Sequence, residues 1–180
     1  MLAQEAAFQL RLDSVVLVPV GESPHKRIDP EPGKDVRLDM ARLAAATDLA
    51  FEASDVETAR EGPSFSFRTL ESMSDARPGD EFVFLMGADV AAGLESWREP
   101  KRVLELARVG VAARPGTVIE EAQAALERLG GEDRAEIVRM PEIGVSSTGI
   151  RMRVADGRPI RHLVPDGVMR FIGERGLYRE

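Results

Sequence analysis

The chain has 180 residues, 43% hydrophobic and 31% charged, the mixture of an ordinary globular protein with a single domain and a real core. A formal net charge of −7 excludes a general binder of nucleic acid or of membrane surfaces, because no broad positive field is there to draw polyanions. There is no Cys, which excludes disulfides and thiolate metal sites, and no apolar run is long enough to span a bilayer. The amino terminus lacks the basic-then-apolar layout of a signal peptide, so the cytoplasm is the expected location.

Taken in order, residues 2–12 read as a helix with Leu2, Ala6 and Leu10 on one stripe, starting without a capping residue. Val15-Val16-Leu17-Val18 is an apolar run of the buried parallel-strand type. It ends at Pro19, ahead of the long loop that holds Pro24-His25-Lys26. Residues 35–47 form an amphipathic helical pattern on Val36, Met40, Leu43 and Ala44, and residues 49–54 a short strand. Glu61-Gly62-Pro63-Ser64 reads as a turn and N-cap for a helix carrying Phe67, Leu70 and Met73. Phe82-Val83-Phe84-Leu85-Met86 is the clearest buried strand, with Gly87-Ala88-Asp89 at its carboxyl end. A helix over 100–108 leads to a strand over 109–113, followed by Arg114-Pro115-Gly116. Residues 120–129 are helical and 135–140 a strand, and two helices around Ile150 and Met169 close the chain. Strands alternating with helices predict a doubly wound α/β parallel sheet in one domain.

Residues 144–154 concentrate the chemistry. Ser146, Ser147 and Thr148 are N-cap candidates at the start of a helical pattern, where several backbone N–H groups lack intrahelical acceptors. Those amides, the hydroxyls and the positive end of the helix make an anion site, and Arg151, one turn in on the face of Ser147, adds a guanidinium fork for phosphate oxygens. A capped helix with a solvated Arg is the ordinary alternative. In doubly wound sheets ligands bind beyond the carboxyl ends of the strands. Pro24-His25-Lys26, Gly87-Ala88-Asp89, Arg114-Pro115-Gly116 and the Ser-Ser-Thr helix all fall at that edge.

In this order and at these spacings the motifs resemble the nicotinate mononucleotide adenylyltransferases, which join ATP and nicotinate mononucleotide to give deamido-NAD and pyrophosphate. The resemblance runs from Glu5 to the C-terminus. It takes in Glu61-Gly62-Pro63-Ser64-Phe65-Ser66, Phe84 through Asp89 to Trp97, Val145 through Arg151, Leu163-Val164-Pro165 and the closing Gly176-Leu177-Tyr178. It implies a Rossmann-like nucleotidyltransferase fold. Gly87 would let the nucleotide approach the backbone, and Asp89 would hold a ribose hydroxyl or the adenosine side. Ser146, Ser147 and Arg151 would hold ATP phosphates, with Arg114 lining the shared phosphate region. Arg151 is the one residue given a catalytic role. Trp97 would stack on the nicotinate ring, the amides near Ser66 and Arg98 would meet its carboxylate, and His25 and Lys26 would approach the mononucleotide phosphate. The family usually has Tyr at Phe65 and often at Arg98, and an Arg at 98 would strengthen selection for a carboxylate over a neutral amide.

The resemblance further implies Mg²⁺ arriving with ATP, no protein metal site, small-molecule partners only (no nucleic acid, no membrane), and leaves a homo-oligomer open. Members of the family open with a strand, a Gly-Gly-x-Phe-Asp-Pro loop and a His-x-Gly-His pair. Met1 falls where that pair has ended, and neither His25 nor His162 maps onto it. The expectation is therefore a sheet lacking its central first strand, between the strands at Val15 and Phe82, with the start of the gene lying further upstream. The alternatives are a shortened, inactive nucleotide-binding homologue, or an adenylyltransferase for another phosphorylated acceptor such as a pantetheine or flavin compound.

Overall fold

The computed structural model describes residues 1–23, 31–113, 119–141 and 143–179. The strands are β1 (Val15–Leu17), β2 (Phe51–Ala53), β3 (Phe82–Gly87), β4 (Ala107–Ala113) and β5 (Ala135–Arg139). The helices are α1 (Leu2–Gln9), α2 (Lys34–Ala45), α3 (Ser66–Ala76), α4 (Ala88–Ala92), α5 (Pro100–Leu106), α6 (Ile119–Arg128), α7 (Ser147–Ala155) and α8 (Asp166–Glu174). All strand pairing among the described residues is parallel, in two hydrogen-bonded sheets, β1-β2 and β3-β4-β5. The chain forms two compact units, one of Met1–Asp13 with Phe65–Glu142 and one of Ser14–Ser64 with Ile143–Glu180.

In the first unit β4 is central, with Phe84 paired to Val109 and Met86 to Val111. Side chains alternate across a strand, so Phe82, Phe84, Met86, Ala107, Val109 and Val111 share one face. There Val109 and Val111 are wholly buried with Leu94, Ala122 and Leu126, and Ala107 packs with Leu70 and Val103. The other face receives α1. Gly110 makes that contact close: a β-carbon there would lie 2.5 Å from Leu85 Cδ2 and 3.2 Å from Leu10 Cδ1. The Gln9 side chain completes the docking on edge strand β5, donating to Arg139 O and accepting from Arg139 N, both at 2.9 Å. Unpaired edge groups of β5 are thereby satisfied by a side-chain amide.

In the second unit α2 packs on β2 and α8. Its core is Ile160, Val168 and Ile172, covered by Met40, Leu43, Ala44, Ile150, Val154 and Tyr178. The closing Gly176-Leu177-Tyr178 has a mechanical role here. Gly176, at φ 60°, ends α8 while Leu177 N bonds back to Ile172 O, and Leu177 joins the core.

Of the departures from the sequence reading, three have a plain physical cause. α1 stops at Gln9, because Arg11 adopts φ 53° and Leu12 N bonds to Ala7 O in a Schellman-type ending. α5 stops at Leu106, since Ala107 and Arg108 pair with Phe82 and Val83 as the start of β4. Ser64 is not an N-cap: Phe65 occupies that position on α3 without a side-chain bond, and the Ser64 hydroxyl accepts from Gly21 N instead.

Candidate functional site

The first unit places Gly87, Asp89, Ser66, Trp97 and Arg98 on a single framework. Gly87 ends β3 and is the N-cap of α4, with Asp89 in that helix's first turn. A β-carbon at Gly87 would stand 2.5 Å from Asp89 Oδ1, so a side chain there would displace that carboxylate. Its φ of −71° suits any residue, so what the glycine provides is room for the Asp89 carboxylate where it stands. Trp97 follows the 3-10 turn Leu94–Ser96, and its ring meets Phe84 of β3 edge-on, centroids 5.9 Å apart at 86°. The ring is half-buried, so this contact fixes its plane while leaving surface for a ligand.

Arg98 stacks its guanidinium over the Phe65 ring, 4.9 Å from the centroid, and has no carboxylate partner among the described residues. Arg68 lies 5.9 Å from the centroids of both Phe65 and Phe67. Ser66 is the first residue of α3, whose first turn carries no acidic residue. The corner is therefore electropositive from two guanidinium groups and the start of a helix. Phe65 is the seat of Arg98. Sequence reasoning missed that role, since nothing local marks a Phe as the seat of an Arg from another element.

In the second unit Ser146 is the N-cap of α7, and its Oγ accepts from Gly149 N at 3.0 Å. Ser147 and Thr148 open the helix, are exposed, and have N–H groups without intrahelical acceptors. Arg151 is half-buried, held by a 3.3 Å bond from Nη2 to Thr148 Oγ1, with no ion pair among the described residues. A cation left without an acid beside exposed helix-start amides is chemistry suited to an anion. Tyr178 titrates above the usual phenol value because burial disfavours its phenolate, an effect moderated by the charge of Arg151. His25, Lys26 and Arg114 lie outside the described residues.

A second hydrogen-bonded joint lies at the root of the loop after β1. Ser64 is buried, its Oγ takes the Gly21 N–H at 3.0 Å, and its own N–H reaches Glu22 O at 2.8 Å. Arg37 of α2 donates to the carbonyls of Val20 and Gly21 while Glu31 holds its Nε at 3.0 Å. Arg37 escaped the sequence reading because nothing in an amphipathic helix pattern marks one Arg as a backbone clamp.

Parallel β/α units with a glycine and the start of a helix at a strand's carboxyl end are the framework of a nucleotide-binding α/β protein, and the cytidylyltransferase-like family matches residues 1–153. A relative from Roseiflexus sp. (strain RS-1), named "Probable nicotinate-nucleotide adenylyltransferase", is 42% identical over 99% of this chain and 89% of its own length. A relative of the same name from Tropheryma whipplei (strain Twist) is 33% identical over 99% of this chain and 91% of its own. The chain belongs to the nicotinate-nucleotide adenylyltransferase family. The fold is also that of Plasmodium falciparum nicotinic acid mononucleotide adenylyltransferase. Its structure complexed with NaAD matches at a TM-score of 0.71 and 15% identity, over 93% of this chain and 83% of that one. The same enzyme complexed with APC matches at a TM-score of 0.74 and 14% identity, over 99% and 88%.

Proposed function

We propose that the protein transfers the adenylyl group of ATP to nicotinate mononucleotide, giving deamido-NAD and pyrophosphate. The observation that carries the acceptor side is the adjacent pair Trp97 and Arg98: a ring held edge-on by Phe84, beside a guanidinium seated on Phe65 with no acid partner among the described residues. A flat aromatic acid needs such a shelf and such a cation. Ser66 at the start of α3 adds a second donor for the carboxylate, and His25 and Lys26 take the acceptor phosphate. On the donor side Gly87 and Asp89 hold the adenosine end, while Ser146, Ser147, Arg151 and Arg114 hold the phosphates. The relatives' names and the family match support the same reading.

The reaction needs no covalent enzyme intermediate. A phosphate oxygen of the mononucleotide attacks the α-phosphorus of ATP in line, one P–O bond forms, and pyrophosphate leaves with the electron pair of the bond that breaks. The protein's contribution is alignment and neutralisation of charge, with Arg151 and the amides of α7 facing the phosphates. Mg²⁺ would come with ATP. No group of three or more His, Cys, Asp or Glu that could hold a metal ion occurs among the described residues. No helix among them is long and apolar enough to cross a membrane.

The test is pyrophosphate release with ATP and Mg²⁺, using nicotinate mononucleotide, nicotinamide mononucleotide, a phosphopantetheine and flavin mononucleotide as acceptors. Release with the first alone, or far faster than with the others, is the expected result. Saturable binding of nicotinate mononucleotide without turnover would instead identify a nucleotide-binding homologue, and faster turnover of another acceptor would overturn the assignment.

A further inference from the structure

Trp97 is the single tryptophan of the chain, and the segment carrying it is anchored on both sides. Upstream, Leu94 is wholly buried, Trp97 N bonds to Leu94 O at 3.0 Å, and Ser96 Oγ bonds to Gly93 O at 2.7 Å. Downstream, Glu99 adopts left-handed angles, φ 53° and ψ 53°, before Pro100 opens α5. Between these anchors stands Glu95, whose carboxylate is gripped by Arg128 from a position 33 residues away. Arg128 Nε donates to both oxygens at 3.0 Å, and its Nη2 donates to Oε2 at 2.6 Å.

Arg128 stands on a firm base, because α6 buries Ala122, Ala125 and Leu126 beneath it. A forked contact to both carboxylate oxygens fixes orientation as well as distance, which a single point contact does not. The same hydrogen bond holds the Glu95 carboxyl below its ordinary value. The two side chains are 56% and 40% exposed, and ion pairs that open to water add little to stability. What this one supplies is geometry, two residues before the ring.

We infer that Arg128 is a positioning residue: acting through Glu95, it sets the orientation of the Trp97 ring and limits its motion, and so sets affinity for the aromatic acceptor. The acceptor half of this inference rests on the stacking role proposed for Trp97. The positioning half does not, and with one tryptophan it can be read directly from fluorescence.

The experiment uses the full chain as wild type, Arg128→Met, Arg128→Lys, and the exchange of Glu95→Arg with Arg128→Glu. Acrylamide quenching and steady-state anisotropy of Trp97 are measured without substrate, followed by melting temperature and KM for each substrate. Arg128→Met is expected to increase acrylamide quenching and lower anisotropy with little change in melting. KM for nicotinate mononucleotide should rise roughly two- to fivefold while that for ATP stays put. Arg128→Lys, which keeps the charge without the fork, should fall between, and the exchange should recover part of the loss. Unchanged quenching and anisotropy in Arg128→Met would overturn the inference. So would an equal rise in both KM values with a lowered melting temperature that the exchange does not restore, which is the pattern of a purely structural role. If nicotinate mononucleotide leaves wild-type Trp97 fluorescence untouched, ring stacking fails and the affinity half falls with it. The substrate-free measurements then decide the positioning half alone.

Discussion

The buried hydroxyl of Ser64 accepts a hydrogen bond from the backbone N–H of Gly21 at 3.0 Å, across 43 residues of sequence. Ser64→Ala leaves that buried N–H without its acceptor and should destabilise the fold by about 1–3 kcal/mol. Gly21→Ala should cost more. A β-carbon there runs into the carbonyl oxygen of Glu57, a backbone atom that cannot swing aside. Urea midpoints of the two variants check the order, and a Gly21→Ala chain as stable as wild type would show that this joint yields.

Arg151→Ala should raise KM for ATP and slow turnover, with little effect on binding of nicotinate mononucleotide. Arg151 has no ion pair among the described residues to compensate for, so the loss reads as one charge-assisted phosphate contact, about 1.5–3 kcal/mol. Steady-state kinetics with each substrate varied supplies the comparison. An unchanged rate at every ATP concentration would remove Arg151 from the phosphate site.

Trp97→Ala should weaken nicotinate mononucleotide far more than ATP, since only the acceptor carries the ring assigned to it. Stacking of this kind is worth on the order of 1 kcal/mol. The contact with Phe84 gives the tryptophan a structural share too, so melting must be followed alongside. Equal losses for both substrates together with a lower melting temperature would make Trp97 a fold residue only.

The strands at Val15 and Phe82 were legible because strands of a parallel sheet read as short apolar runs. Strand ends were less so. Ala107 and Arg108 continue the helical spacing of Val103 and Leu104, and only pairing with Phe82 and Val83 draws them into β4. That is tertiary structure overriding a local pattern. Ser64 shows the same limit from the side of hydrogen bonding: its hydroxyl suits an N-cap, but its use depends on Gly21 arriving from elsewhere in the chain. The start of α7 was readable because a helix N-terminus is local chemistry, and Ser146 caps it as its residue type suggested. α4 has five residues, too few for a periodicity to emerge. The Glu95–Arg128 fork leaves no trace in sequence, where each partner looks like one more solvated charge.

Tyr178 is the single tyrosine, so its ionisation can be followed by ultraviolet absorbance without interference. Burial raises its folded pKa above the unfolded value of about 10. The neutral phenol therefore contributes stability that is fully present below the unfolded pKa and is lost as pH rises through the folded one. The titration midpoint should lie above that of the denatured chain, and Tyr178→Phe should flatten the alkaline fall in melting temperature. A midpoint equal to that of the denatured chain would mean that the phenol is fully solvated.

Glu99 is a non-glycine residue held at φ 53° and ψ 53°, directly after Trp97 and Arg98 and directly before the proline that opens α5. Left-handed angles cost an L-residue roughly 1–2 kcal/mol, and glycine adopts them freely. Replacing Glu99 by glycine removes that strain and adds about 0.4–1 kcal/mol of unfolded-chain entropy in opposition. The net expectation for Glu99→Gly is a chain as stable as wild type or up to about 1.6 kcal/mol more so. Glu99→Val, which brings a β-branched side chain into the same angles, should be clearly less stable. Function should move the other way for glycine. A freer joint after Arg98 lets the Trp97 segment sample more orientations, so Trp97 anisotropy should fall and KM for nicotinate mononucleotide rise, even as melting holds or improves. Strain kept at a site where it costs stability is expected when it fixes a geometry the site uses. If Glu99→Gly lowers stability by well over 1 kcal/mol, the left-handed turn is not the strained element, and the carboxylate of Glu99 holds the segment by a contact of its own.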